Sequence, residues 1–210
     1  MLILDHKFKT GYDLRGLING KQQMGFRAGT QNIPAIGASI LAMKLNFENR
    51  TVKNNHLKML RLHMIKKLST LFTPMEYKSI VVDAKGKLEK APADITGTKR
   101  IGICILGPEV ISRVLQSTLL FSLICIDKKL CNVKLKEMLG RKKIIVGIGS
   151  ACNIGNKKAS HVLTAINAPA IVKRGVMRIS FSCNNTKNDI DKFCDIMHTL
   201  FTKQMSAIVQ

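Results

Sequence analysis

The sequence contains no tryptophan and only two tyrosines, Tyr12 and Tyr77, among its 210 residues. Proteins that hold single-stranded nucleic acid stack its bases on aromatic rings, and this chain has few to offer. Acidic residues are also scarce, 13 against 34 Lys and Arg, for a formal net charge of +21. Such an excess attracts polyanions without choosing among them. The basic residues are scattered over 53–67, 128–143, 157–158 and 173–174. That spread reads first as a solvated surface and second as a nonspecific nucleic-acid contact. No apolar run approaches the ~18 residues that span a bilayer, and Met1–Asp5 is too short and too soon charged for a secretion signal. A soluble, cytoplasmic protein with no membrane partner is expected. No Cys-x-x-Cys pair occurs and no histidine lies at zinc-finger spacing from the six cysteines, so neither a metal site nor a disulfide framework is expected.

Hydrophobic residues make up 46% of the chain, which suits a globular core. Leu2–Leu4 could be a strand, and the glycine-rich stretch 10–30 reads as loops. Pro34 suits the first turn of a helix that Ile36, Ile40, Leu41, Met43 and Phe47 continue. Leu57, Leu60, Met64, Leu68 and Leu71 then draw one apolar stripe, with Lys58, Arg61, Lys66 and Lys67 on the other faces. Strands are expected at Ile80–Val82, Ile101–Leu106, Leu119–Ile126, Ile144–Val146 and Met177–Phe181. Asn132 and Ser160 could cap short helices running to Leu139 and Ile166. Thr186 with Asp189 resembles a capping box ahead of Ile190, Phe193, Met197, Leu200 and Phe201. Alternating strands and helices give a mixed α/β or α+β class.

Three separated segments carry chemistry. Gly25-Phe-Arg-Ala-Gly-Thr-Gln-Asn-Ile-Pro34 places the Thr30 hydroxyl and helix-start N–H groups together, an arrangement that can hold a phosphate, although Thr30 could equally be a turn residue. Gly149-Ser-Ala-Cys152 puts a thiol in a polar, glycine-rich stretch, with Lys157 and Lys158 nearby to favour the thiolate. The alternative is one more buried cysteine. Met177-Arg-Ile-Ser-Phe181 offers Arg178, whose planar fork suits an amino-acid carboxylate as well as it suits a surface ion pair.

In this order the segments resemble the C-terminal half of NifS/IscS-type cysteine desulfurases, members of the class V pyridoxal-phosphate (PLP) enzymes. Ser160-His-Val-Leu163 and Arg113-Val-Leu-Gln-Ser-Thr-Leu-Leu120 add weaker matches, and the resemblance covers about residues 15–201. It implies that Thr30 contacts the phosphate of PLP bound to the other subunit of a homodimer. It further implies that Arg178 holds the carboxylate of substrate L-cysteine, and that Cys152 takes the sulfur as a persulfide, releasing alanine. The sulfur would pass to an acceptor protein for Fe–S assembly or thiolation.

The family attaches PLP to a lysine in an S-x-H-K segment, which this sequence does not contain; His6-Lys7 lies too close to Arg27 to replace it. Two serines that precede the family's G-S-A-C are Gly147-Ile148 here, its loop glutamate is Gln23, and 77–112 matches poorly. These departures resemble the divergent NifS-like proteins of large DNA viruses, for which a virion location would also fit. The expected architecture is the small C-terminal domain of a fold-type I PLP enzyme, over 73–210, with helices on one side of an antiparallel or mixed sheet. Connecting helices would occupy 35–72, and 1–34 would be a remnant of the PLP-binding domain. Such a piece leaves an apolar face to be covered. It would act as a truncated or split desulfurase, inactive alone. The competing expectation is a degenerate, non-catalytic relative that binds partners or polyanions.

Overall fold

The computed structural model describes residues 16, 18–76, 80, 100–108, 113–125, 130–148 and 160–209. The expected strand at Leu2–Leu4 and residues 81–82 of the expected Ile80–Val82 strand lie outside them, whereas Ile80 is buried without strand structure. The chain divides into two compact units, 1–50 and 51–210.

In the first unit, a 3-10 turn, Gln22–Gly25, precedes α1 (Ile33–Glu48). The Asn32 side chain caps α1 by accepting from the Ala35 N–H, and Pro34 sits in the first turn as its missing donor allows. Lys44 is the one charged side chain ahead of Glu48 in α1, and none of its residues is buried. Ile33, Ile40 and Phe47 stand more than 60% exposed.

The second unit is built on a four-stranded sheet in the order β1-β2-β3-β4. Here β1 (Thr73–Pro74) runs parallel to β2 (Ile101–Leu106), which is antiparallel to β3 (Thr118–Cys125); β3 is antiparallel to β4 (Val176–Ser180). Alternation along the strands sorts side chains to two faces. Ile101, Ile103, Leu119, Phe121, Leu123 and Met177 meet α2 (Arg50–Leu71) and α6 (Lys187–Lys203) in the larger core. The α2 stripe enters it as the spacing predicts, with Leu60 and Leu68 fully buried, and Phe72 meets Phe201 edge-on at 5.2 Å. The Thr186–Asp189 capping box starts α6. Short helices α3 (Asn132–Arg141) and α7 (Met205–Ile208) close this core.

Helices do not keep to one side. Cys104, Leu106, Ile124 and Val176 form a second core with Leu163 of α4 (His161–Ala165) and Val172 of α5 (Ala170–Arg174). β3 is apolar on both faces, so a one-sided cover would leave Ile124 in water. At the turn into β4, a Cβ on Gly175 would collide with the Leu123 carbonyl oxygen, so only glycine fits.

Four local expectations are corrected. Arg61 is 5% exposed on the buried side of α2, where its guanidinium donates to the Thr118 carbonyl. Burial lowers its pKa below the usual arginine value. Asn132 does not cap α3. Its side chain instead donates to the Val176 carbonyl at 3.0 Å, and Cys131 is the N-cap residue. Ser160 occupies the N-cap of α4 without a side-chain hydrogen bond. Ile144–Val146 is not a strand. Lys143, with φ of 62°, closes α3 in a Schellman turn: its N–H reaches the Gly140 carbonyl, and that of Ile144 reaches Leu139. Among the described residues, the chain that follows pairs with β4 at the Gly147–Arg178 bridge.

Two measurements check this unit. Asp191 joins α6 to α2 through His63 (2.8 Å) and Lys67 (2.9 Å), and the bond from Lys67, then that from His63, holds its carboxyl below the usual carboxylate range. The Thr186 backbone N–H does the same to Asp189. A depressed carboxyl stabilises the fold above its unfolded pKa and loses that effect as pH falls through the folded one. Urea midpoints should therefore decline as pH drops below ~4, and Asp191→Asn should flatten that decline. Lys143→Gly should raise stability by about 1 kcal/mol, since a left-handed residue with a Cβ is replaced by one without; an unchanged midpoint would contradict the turn.

Candidate functional site

Arg178 is the third residue of β4, exposed, and on the sheet face that carries the smaller core. Opposite it on β3 lies Leu120. On its outer side the backbone pairs with Gly147 in both directions: Gly147 N–H donates to the Arg178 carbonyl at 2.9 Å, and Arg178 N–H to the Gly147 carbonyl at 2.8 Å. A Cβ on Gly147 would lie 3.2 Å from Arg178 Nε and 3.4 Å from Nη2. The guanidinium therefore rests against the bare backbone of Gly147, in space that a serine would crowd. Gly147 stands two residues ahead of the Gly149–Cys152 stretch, and Ser160, at the start of α4, follows it. Cys152 itself lies outside the described residues, as do Lys157 and Lys158.

The remaining cysteines can be sorted by environment. Cys104 and Cys194 are buried, and desolvation pushes both thiols up to about 12, so neither is a thiolate at neutral pH. Cys125 is also buried, and Cys131 is partly covered. Cys183 is exposed in the turn between β4 and α6, a thiol that sequence reasoning grouped with the buried ones. Its surroundings, Ser182-Cys-Asn-Asn185, were the available signal, since such residues favour surface turns. Among the described residues no cluster of three or more His, Cys, Asp or Glu could hold a metal ion.

Thr30 lies in the first unit, exposed, two residues before the α1 cap. Arg27 Nη1 ties down the loop by donating to the Gly29 carbonyl at 2.8 Å and the Thr30 carbonyl at 3.0 Å, and Gly29 takes φ of 93°. The helix-start amides are not open to an anion. Ile33 N–H donates to Gln31, Ala35 N–H to the Asn32 side chain, Ile36 N–H to the Asn32 carbonyl, and Pro34 has none. What Thr30 itself can offer a phosphate is an exposed hydroxyl. Taken separately, Thr30 offers a hydroxyl of a kind that suits a phosphate, and Arg178 a guanidinium of a kind that suits a carboxylate.

No family model matches the chain. Among curated proteins, the cysteine desulfurase of Gluconacetobacter diazotrophicus is 28% identical over 196 residues, covering 93% of this chain and 40% of that protein. The cysteine desulfurase IscS of Clostridium botulinum is 27% identical over 190 residues, with 90% and 40% covered. The chain is similar to the cysteine desulfurases. It spans about two fifths of the length of those it matches. Solved structures agree on the fold: a NifS-like protein superposes with a TM-score of 0.62 at 23% identity, over 91% of this chain and 40% of its own. A NifS-like protein from Rickettsia africae gives 0.58 at 23% identity, over 90% and 41%. The mixed α/β class and the match to two fifths of a desulfurase agree with the reading from motifs. Among the described residues no helix is long and apolar enough to cross a membrane.

Alkylation of the native chain at neutral pH, followed by peptide mass mapping, should label Cys183 and leave Cys104 and Cys194 unlabelled until denaturant is added. Labelling of Cys194 in the folded protein would contradict the packing of α6 on α2.

Proposed function

We propose that this chain provides the substrate-carboxylate arginine and the sulfur-accepting thiol of a PLP-dependent cysteine desulfurase, with the Schiff-base lysine supplied by sequence outside the 210 residues or by a second polypeptide. The observation that supports this most directly is the two-way backbone pairing of Arg178 with Gly147, at the root of the Gly149–Cys152 stretch. It ties the position of the arginine to that of the chain leading to the thiol. Bound PLP would supply the electron sink that weakens bonds around the substrate's α-carbon.

In this reading Arg178 orients L-cysteine by two parallel hydrogen bonds to its carboxylate. The Cys152 thiolate attacks the substrate sulfur; the new S–S bond leaves a persulfide on Cys152, while the carbon–sulfur bond breaks with its electron pair left on carbon, which takes up a proton to give alanine. A sulfur-acceptor protein then takes the terminal sulfur. Thr30 contributes its hydroxyl to the phosphate in the partner subunit of a homodimer, and the setting is cytoplasmic.

A second reading has one specific support, the net charge of +21: a non-catalytic relative that binds polyanions. Protein purified from its source, with any sequence that continues it, separates the two when given PLP and L-cysteine. Alanine release with a persulfide mapped to Cys152 supports the enzyme. Cys152→Ser should abolish the persulfide, and Arg178→Lys should raise KM for cysteine by about tenfold or more with a smaller change in kcat. No alanine, together with salt-dependent nucleic-acid binding that Cys152→Ala leaves unchanged, would replace it with the polyanion-binding reading.

A further inference from the structure

A groove of about 350 Å³ runs along the outer edge of β4, between α6 and the segment that joins α3 to Gly147. Its floor is apolar, formed by Ile179, Phe181, Ile190, Phe193 and Ile196. Ile145, on its wall, is 96% exposed although Ile144 and Val146 beside it turn inward. Lysines 142, 143 and 192 line the groove with a single carboxylate, Asp189, which the Thr186 capping box already engages.

The backbone adds a third feature. In the pairing of β3 with β4, Arg178 turns both its N–H and its C=O outward, to Gly147. Ser180, two residues on, has the same parity, so its N–H and C=O also face the groove. The bridge at Gly147 does not continue to Ile145, and among the described residues no hydrogen bond engages either group of Ser180. An open edge, an apolar floor and a basic rim therefore coincide.

We propose that this groove docks an extended segment of a partner protein, rich in alternating apolar and acidic residues, that adds a short strand to β4 at Ser180. Main-chain hydrogen bonds to the open edge hold the segment extended. Its apolar side chains fill the floor between Ile179 and Phe193, and its carboxylates meet Lys142, Lys143 and Lys192. The apolar floor and the single strand edge favour a peptide over a nucleic-acid backbone, which would use the lysines alone. The docking does not depend on whether the chain transfers sulfur.

The test is fluorescence anisotropy with a labelled peptide of sequence EVDIEVD and the whole chain. Saturable binding is expected, weakened about tenfold by the double variant Lys142→Glu/Lys143→Glu. The same peptide N-methylated on alternate amides should lose binding comparably, and KVKIKVK should not bind. The peptide changes leave the protein untouched, so they decide the matter even if the variant fails to fold. Equal competition by oligoglutamate or by a thymidine oligonucleotide of the same charge would overturn the proposal in favour of a general polyanion surface. Undiminished binding of the N-methylated peptide, or no binding of EVDIEVD at all, would overturn it outright.

Discussion

Burial of β3 on both faces is the constraint on which the second unit depends. Its last five residues, Phe121 to Cys125, are all buried, and both of its edges are paired, to β2 and to β4. A strand with no solvent-facing side needs cover above and below. The long helices α2 and α6 provide it on one face through Leu60, Met64, Phe193 and Met197, and the short helices α4 and α5 on the other through Leu163 and Val172. Even the polar residue in the middle conforms: Ser122 is fully buried and donates to the Val172 carbonyl at 2.6 Å.

That arrangement fixes what can happen at the edge of the sheet. With β3 paired on both edges, the outer edge of β4 faces away from the sheet, and Arg178 and Ser180 turn their backbone groups toward it. The α3 Schellman turn at Lys143 directs the following chain back toward β4, where Gly147 pairs with Arg178. The absence of a side chain at Gly147 lets a guanidinium lie against the backbone. On the same edge, Ser180 is left with outward polar groups beside an apolar floor. Arg178 and the backbone groups of Ser180, unbonded among the described residues, thus share one edge of the sheet.

Scarcity of carboxylates shapes the electrostatics. With so few acids in a chain of +21, several have structural roles. Asp189 closes the start of α6 and Asp191 ties α6 to α2 through two basic partners. The buried Arg61 is held by a carbonyl oxygen, a weaker partner than a carboxylate, which is consistent with its lowered pKa. Among the described residues no lysine is buried, and mutual repulsion in water is screened by salt and costs little.

Periodicity and capping chemistry carried much of the local structure. The α2 stripe, the Thr186 capping box, Pro34 in the first turn of α1, and the strands at 101–106, 118–125 and 176–180 follow from interactions between residues a few positions apart, which a sequence displays directly. Motif order likewise pointed to the similarity with cysteine desulfurases. What the sequence did not display are choices made between distant segments. Arg61 has the composition of a surface residue but faces Thr118, 57 positions away. Asn132 has the composition of a cap but bonds to Val176, 44 positions away. Ile144–Val146 has strand composition, yet a strand needs a ladder, and after the turn at Lys143 the bridge to β4 falls on Gly147, beyond this segment. Backbone and side-chain polar groups take whichever partner the packed fold brings within reach, and only the tertiary structure decides that partner.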